Sequence, residues 1–363
     1  MKQSVSQIVY VSVIAVVVGI AAGIVGAVVS ENYLSQYVAS LQEEGERGLT
    51  LSEQKPRPIP GTFEEALESA KKTVLPAVVQ FYRGSAEAAV LPGTAIGAGV
   101  VVTSDGWVAT TKDVVAGGAL TSLRAEIQSS FYSVQETFPD PLTNLVMIRL
   151  VDAEGLPVIP FGASDQVEGG DLVFVAVSGT AILPTAIFDA EHVTITVAAN
   201  PSETFLSEFA LADQIATPGA PVVNSAGELI ALTLPRTVGE AGGVAAAPLH
   251  HLLTAIRSVI RSGELSRVVL GTTTIDLAAV EEPETIARGF NRGAYVTAVT
   301  TGSGAALAGV LRADIITKVD DQLLNSADAL AETLSKYNPG NTITLTVDRG
   351  GIEMQIEVEL SGR

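Results

Sequence analysis

Between Ala77 and Ala246 the chain is a succession of short apolar runs rich in β-branched residues, and this pattern leaves few folds open. The runs are Ala77 to Tyr82, Gly99 to Val102, Trp107 to Thr110, Leu145 to Leu150, Asp171 to Val177, Val222-Val223, Leu229 to Leu232 and Gly243 to Ala246. Turn-forming stretches such as Ser104-Asp105-Gly106, Gly169-Gly170 and Ala226-Gly227 separate them. Many short strands at close spacing, with few helices between, specify an all-β barrel or sandwich. The pattern breaks at Leu249 to Ile260, where apolar residues at 249, 252, 253, 256, 259 and 260 follow helical spacing. That helix reads as the closing element of a domain spanning residues 62–262.

A second unit, residues 263–363, mixes helices and strands. Val268 to Gly271 is a short apolar strand ending in Gly, Ala294 to Val299 and Asp314 to Val319 are strands, and Gly304 to Ala308 is a short helix. Ser326 to Lys336 reads as a helix with Ser326 as N-cap. Asn341 to Asp348 and Ile352 to Leu360 alternate as a hairpin about Arg349-Gly350-Gly351.

The N-terminal region differs from both units. Ile8 to Val29 is an uncharged apolar run of about 22 residues, and roughly 20 suffice to cross the hydrocarbon core as a helix. Lys2 precedes it, and Glu31, Glu43, Glu44 and Glu46 follow, so residues 1–7 are expected in the cytoplasm and the remainder outside. A cleaved signal peptide is the rival reading, although its apolar core is usually shorter. Residues 30–61 turn polar and close on Lys55-Pro56-Arg57-Pro58-Ile59-Pro60, which reads as a partly extended stalk. Thr62 then caps a short helix from Phe63 to Lys72, with Glu65 completing a capping box. The net charge of −19 argues against nucleic acid and anionic lipid surfaces, which need Lys/Arg patches. The chain has no cysteine, which excludes disulfides, thiolate catalysis and Cys-based zinc sites. No cofactor and no metal is expected.

Three segments carry a resemblance. Thr110-Thr111-Lys112-Asp113-Val114-Val115, Asp140-Pro141-Leu142-Thr143-Asn144-Leu145 and Thr217-Pro218-Gly219-Ala220-Pro221-Val222-Val223-Asn224 resemble, in order and spacing, the His, Asp and Ser segments of the HtrA/Deg serine proteases. That family reads T-N-N-H-V-V, D-P-x-T-D-L and G-N-S-G-G-P-L-V-N. Ile96 to Val102, and Phe161 to Asp165 with Gly170-Asp171, resemble further family motifs. The loop Gly302 to Val310 resembles G-S-P-A-A-x-A-G-L of bacterial PDZ domains. The resemblance implies a mainly β fold: a two-barrel, trypsin-like (chymotrypsin-fold) domain followed by an α+β PDZ domain, behind an N-terminal transmembrane helix.

It also implies that the catalytic positions hold Asp113, Asn144 and Pro218. In such proteases a Ser attacks the carbonyl, a His takes its proton and an Asp holds the His tautomer. Asp113 would be a weak base without a second nitrogen. Asn144 would bring no charge to stabilise an imidazolium. Pro218 has neither a side-chain oxygen nor the N–H that helps form the oxyanion hole, and Ala220 stands where the family has Gly beside Gly219. The stretch Asp213 to Pro218 is also about three residues shorter than the family's. Asp113 and Asn144 are expected to hydrogen-bond in a polar, silent cleft. His192, His250 and His251 read as exposed or half-buried structural residues, and Ser225 as a turn residue. A Ser–Lys dyad using Lys112 lacks a serine at the nucleophile position.

Val269-Leu270-Gly271-Thr272 loosely resembles the PDZ carboxylate loop Y-L-G-V/I. The resemblance implies binding of peptides or protein C-termini by strand addition. Two functions compete: a membrane-anchored pseudoprotease that binds peptides and scaffolds or regulates active relatives, as a homo- or hetero-trimer, and an active serine endopeptidase of the cell envelope.

Overall fold

The computed structural model describes residues 61–84, 95–193, 199–215, 217–238, 242–287 and 289–362. The apolar run 8–29 and the stalk, apart from Gly61, lie outside the described residues. Among those described, no helix is long and apolar enough to cross a membrane.

A first helix, α1 (Phe63–Val74), enters a six-stranded closed barrel. Thr62 Oγ1 accepts from Glu65 N at 3.2 Å, while the Glu65 carboxylate takes the N–H of Gly61. The reciprocal half of the capping box is thus displaced by one residue. Ala66, Ala70 and Val74 form the buried stripe. The barrel strands are β1 (Val78–Arg83), β2 (Gly97–Val101), β3 (Trp107–Thr111), β4 (Leu123–Ile127), β5 (Ser130–Pro139) and β6 (Leu145–Leu150), joined in the order β1-β2-β3-β6-β5-β4. One helical turn, α2 (Lys112–Val115), follows β3. Strands β2 and β3 are buried throughout, which fits their continuous apolar runs. Sequence reading missed β4 and β5. Leu123, Ala125 and Ile127 alternate inward with Arg124 and Glu126 between them, a period of two that was open to detection. β5 is largely exposed and polar, so no apolar run marks it.

The second barrel comprises β7 (Leu172–Ser178), β8 (Ala181–Val193), β10 (Ser207–Leu211), β11 (Pro221–Val223), β12 (Leu229–Val238) and β13 (Gly243–Pro248), closed in the order β10-β13-β12-β11-β7-β8. Phe174, Val223, Leu229 and Leu232 belong to the core of the first barrel as well, so one apolar mass joins the two. The expected helix is present as α3 (Leu249–Ser262). It lays Leu252, Ile256 and Val259 on that shared core and ends at Gly263 in the left-handed conformation, whose N–H returns to Val259 O at 2.8 Å.

In residues 263–363, the third unit after the two barrels, β14 (Val268–Val269) pairs with β21 (Ser361–Gly362). The main sheet runs in the order β20 (Glu353–Glu359), β19 (Thr342–Asp348), β17 (Ile315–Val319), β16 (Ala294–Val299), β15 (Thr272–Asp276), with β18 (Gln322–Leu323) on β17. Helices α4 (Gly304–Ala308) and α5 (Ala329–Leu334) complete it. Helix α5 is shorter than expected from Ser326 to Lys336, and its N-cap is Asp328 rather than Ser326. Asp328 is left-handed, φ 65°, and its side chain is committed elsewhere. At the far edge of the sheet, β15 pairs with a strand from the second barrel's β8–β10 connection, β9 (Asn200–Pro201).

Candidate functional site

The three segments singled out in sequence converge between the barrels. Helix α2 presents Asp113, and Asn144 sits on the loop before β6. Asn144 Nδ2 donates to Asp113 Oδ2 at 2.7 Å, and Lys112 N donates to Asn144 O at 2.8 Å. Asp113 is exposed and Asn144 half-buried. Pro218 closes on the same place, with its carbonyl accepting from Ala98 N at 2.8 Å. A Cβ built on Gly97 would lie 2.6 Å from Val114 and 2.9 Å from Pro218 O, so Gly97 lets both segments approach.

The loop amides point away from this cleft. Pro218 has none, Gly219 N donates to Thr233 O at 2.9 Å, and Ala220 N donates to Thr233 Oγ1 at 2.9 Å. Thr233 Oγ1 in turn donates to Thr217 O at 2.6 Å. Catalytic oxyanion sites need free donors aimed at the developing charge, and these donors are already used.

Beside Asn144, a cavity of about 130 Å³ is bounded by Phe205, Ser207, Glu208, Leu234, His251 and Leu252. It lies over a polar seam between barrels and third unit. Asp140 is fully buried and accepts from Leu142 N at 3.2 Å and from the Thr143 hydroxyl. Arg267, also buried, grips the same carboxylate through Nε at 3.2 Å and through Nη2, and reaches His251 O at 3.3 Å. The loop carrying Asn144 is thereby fixed to the residue that precedes β14.

The histidines divide. His192 lies on β8 beside Asp189 at 3.4 Å. His250 is half-buried. Ser164 Oγ lies 2.9 Å from its Nδ1 and accepts from its main-chain N–H at 2.8 Å, so this serine supports the first turn of α3. His251 departs from expectation: it is buried, with its ring stacked on Phe205 at 4.0 Å between centroids. Burial holds its pKa well below the ordinary value, reinforced by His250 and Arg267. Its Nε2 finds no hydrogen-bond partner and lies 4.0 Å from Asp328 Oδ2. His250, His251 and Glu332 are the one group among the described residues that could hold a metal, with ligand atoms within 4.8 Å of one another.

The predicted carboxylate loop, Val269-Leu270-Gly271-Thr272, lies between β14 and β15. Gly271 has φ 85°, and a Cβ there would fall 2.2 Å from that of Ser303, so only glycine fits. Contrary to an open loop, the Leu270 N–H is engaged: it donates to Glu203 Oε1 at 2.6 Å. Sequence reasoning missed Glu203, Arg267 and Asp328. Each acts across more than sixty residues of chain, and no local pattern marks such a pairing.

Asp276, at the end of β15, supplies a measurable pH signature. Its Oδ1 accepts from Ala278 N at 2.9 Å and its Oδ2 from Asp328 N at 3.1 Å. Burial pushes its carboxyl up to about 6, with the Asp328 charge adding to the rise and main-chain donors opposing it. The folded chain therefore keeps a proton between about pH 4 and 6 that the unfolded chain has released, so this contribution to stability is full below about pH 4 and is lost as pH rises through 6. It amounts to about 2 kcal/mol after allowance for partial exposure. Asp276→Asn is expected to remove this fall, read as the change in urea midpoint between about pH 4.5 and 7. An unchanged pH dependence would mean that Asp276 is ionised throughout.

Residues 97–232 match the family described as "Trypsin-like peptidase domain", and residues 268–360 match "PDZ domain". The chain is 26% identical over 238 residues to "Serine protease Do-like HtrA" of Lactobacillus helveticus, covering 61% of this chain and 57% of that protein. It is 27% identical over 279 residues to "Periplasmic pH-dependent serine endoprotease DegQ" of Escherichia coli (strain K12), covering 74% and 60%. Over 282 residues it is 28% identical to "Probable periplasmic serine endoprotease DegP-like" of Chlamydia trachomatis, covering 73% and 54%. It thus spans little more than half the length of these relatives. Among solved structures, "HtrA-type protease AlgW with decapeptide" superposes with a TM-score of 0.61 at 21% identity, over 82% of this chain and 98% of that one. The "serine endoprotease from Yersinia pestis" gives 0.53 at 22% identity, over 84% and 100%. Those two likenesses establish fold alone; the chain carries a trypsin-like peptidase domain followed by a PDZ domain, and in this order of domains it is similar to the HtrA, DegP-like and DegQ proteases.

Proposed function

We propose that the chain is a membrane-anchored, extracytoplasmic HtrA-like pseudoprotease that binds peptides or protein C-termini through its PDZ domain. Its role is to scaffold or regulate active relatives in envelope protein quality control, as a homo- or hetero-trimer. The observation that carries this reading is the cleft itself. Where the resemblance sets base, orienting acid and nucleophile, Asp113 and Asn144 hydrogen-bond to each other, and Pro218 offers neither hydroxyl nor N–H. The neighbouring amides of Gly219 and Ala220 are spent on Thr233. These positions bring together no imidazole base, no nucleophile and no free oxyanion donor. Residues 8–29 supply the anchor in this reading.

The alternative is an active serine endopeptidase, the activity in the printed names of the relatives. It requires a nucleophile outside these three positions. Incubation of the purified chain, in detergent, with a fluorophosphonate probe and unfolded casein separates the two. No labelled serine and no cleavage is the expected result. Labelling at a single serine, abolished by its replacement with Ala, would establish the endopeptidase.

A further inference from the structure

We infer that Asn200 to Ser207 of the second barrel is a built-in ligand of the PDZ groove, with the Glu203 side chain in the place of a ligand's terminal carboxylate. The inference rests on the reading of the third unit as a peptide binder and names an occupant for it.

Strand addition to a PDZ sheet has two requirements: an extended segment paired with the edge strand, and a carboxylate at the loop amides where that strand begins. Both are met from within the chain. Asn200 pairs with Thr274 and Pro201 with Thr273, antiparallel, and Ser202 N donates to Thr272 O at 3.1 Å. The segment thus runs toward the loop, in the direction that brings a peptide's C-terminus there. At that point it presents Glu203, whose Oε1 accepts from Leu270 N at 2.6 Å and from the Ser202 hydroxyl at 2.9 Å.

A free C-terminus would end here; this chain continues. Thr204 N turns back to Pro201 O at 2.9 Å. Phe205 lies against His251. Asp328, at the start of α5, then receives Ser207 N at 2.7 Å, together with Leu206 N and the Ser207 hydroxyl. The segment is therefore held on both walls of the groove, β15 on one side and the head of α5 on the other.

Glu203 is 7% exposed. A carboxylate that deep is costly unless it is hydrogen-bonded, and its partners are the loop amide and the neighbouring hydroxyl. The ligand class this groove accepts is accordingly an internal strand carrying Ser-Glu. A peptide bound in trans, whether through an internal Glu or a free terminus, must first displace residues 200–207.

The test uses the full chain in detergent and a fluorescein-labelled, C-terminally amidated octapeptide of the segment's own sequence, Asn-Pro-Ser-Glu-Thr-Phe-Leu-Ser. Wild type is expected to bind the peptide weakly and to exchange the Leu270 amide slowly. Glu203→Ala is expected to speed exchange at Leu270 and Ser202 at least ~10-fold, through local opening, and to bind the peptide at least ~10-fold more tightly. Glu203→Gln, which keeps one acceptor oxygen and the volume, should fall between and guards against misfolding of the alanine variant; circular dichroism checks both. Equal peptide affinity in wild type and both variants would overturn the inference and leave peptide binding intact. Faster exchange with no peptide bound to either variant would overturn the peptide-binding reading and the inference with it.

Discussion

Arg267→Met is expected to lower stability by about 3–5 kcal/mol, because it leaves a fully buried carboxylate without its charge partner. Asp140 has no exposure, and without Arg267 only Leu142 N and the Thr143 hydroxyl remain to it. Replacing both partners should cost far less: Arg267→Met with Asp140→Asn removes the orphaned charge while keeping an acceptor for the loop. Urea denaturation of the two variants against wild type measures the difference. A single-variant loss below about 1 kcal/mol would mean that water reaches Asp140 and that the seam is not sealed by this pair. The pair also explains an assignment that sequence alone could mistake. Asp140 is an acid in the segment where the family keeps its orienting Asp, yet it faces the third unit, not the cleft.

Gly219→Ala is expected to cost roughly 2–5 kcal/mol, the sum of a left-handed backbone penalty and overpacking. Gly219 has φ 74°, and a Cβ there would stand 2.3 Å from Ala98 O and 2.5 Å from Thr110 Oγ1. Neither neighbour can withdraw. Ala98 belongs to a fully buried strand, and Thr110 Oγ1 donates to Ala98 O at 2.6 Å. Gly117→Ala is the control: its φ is 84° but nothing lies within 4 Å of the added methyl. It should lose only about 1–2 kcal/mol. Equal losses at the two positions would show that backbone conformation alone, and not the close passage of the loop beneath β2, makes glycine necessary there.

Much of this architecture was legible in the chain because apolar periodicity reports burial directly. Strands β2, β3 and β6 are continuous apolar runs and are buried; α3 carries its helical stripe on the shared core. The Asp113–Asn144 hydrogen bond followed from the positions that the family motifs assign to these two residues. Legibility ends where structure is set by partners distant in sequence. Helix α5 begins at Ala329, not near Ser326, because Asp328 is turned left-handed to serve Leu206 and Ser207. Nothing in Asn200-Pro201 announces a strand, since its partner, β15, lies some seventy positions away. His251 reads as an ordinary helical residue until Phe205 is found stacked on it. In each case the local sequence is permissive and a long-range hydrogen bond or ring contact makes the choice.

Under the proposed occupancy of the PDZ groove, the pairing of β9 with β15 has a quantitative consequence for any soluble competitor. A covalently attached occupant acts at an effective concentration on the order of millimolar for a short tether. If its intrinsic affinity were on the order of 10 μM, an incoming peptide would see its apparent affinity reduced about 100-fold. A groove occupied in this way would respond to abundance: scarce peptides would pass unnoticed, whereas crowded or multiply presented ones would cross the threshold. The length of the β8–β10 connection, by setting that local concentration, would then tune the threshold without any change in the binding residues.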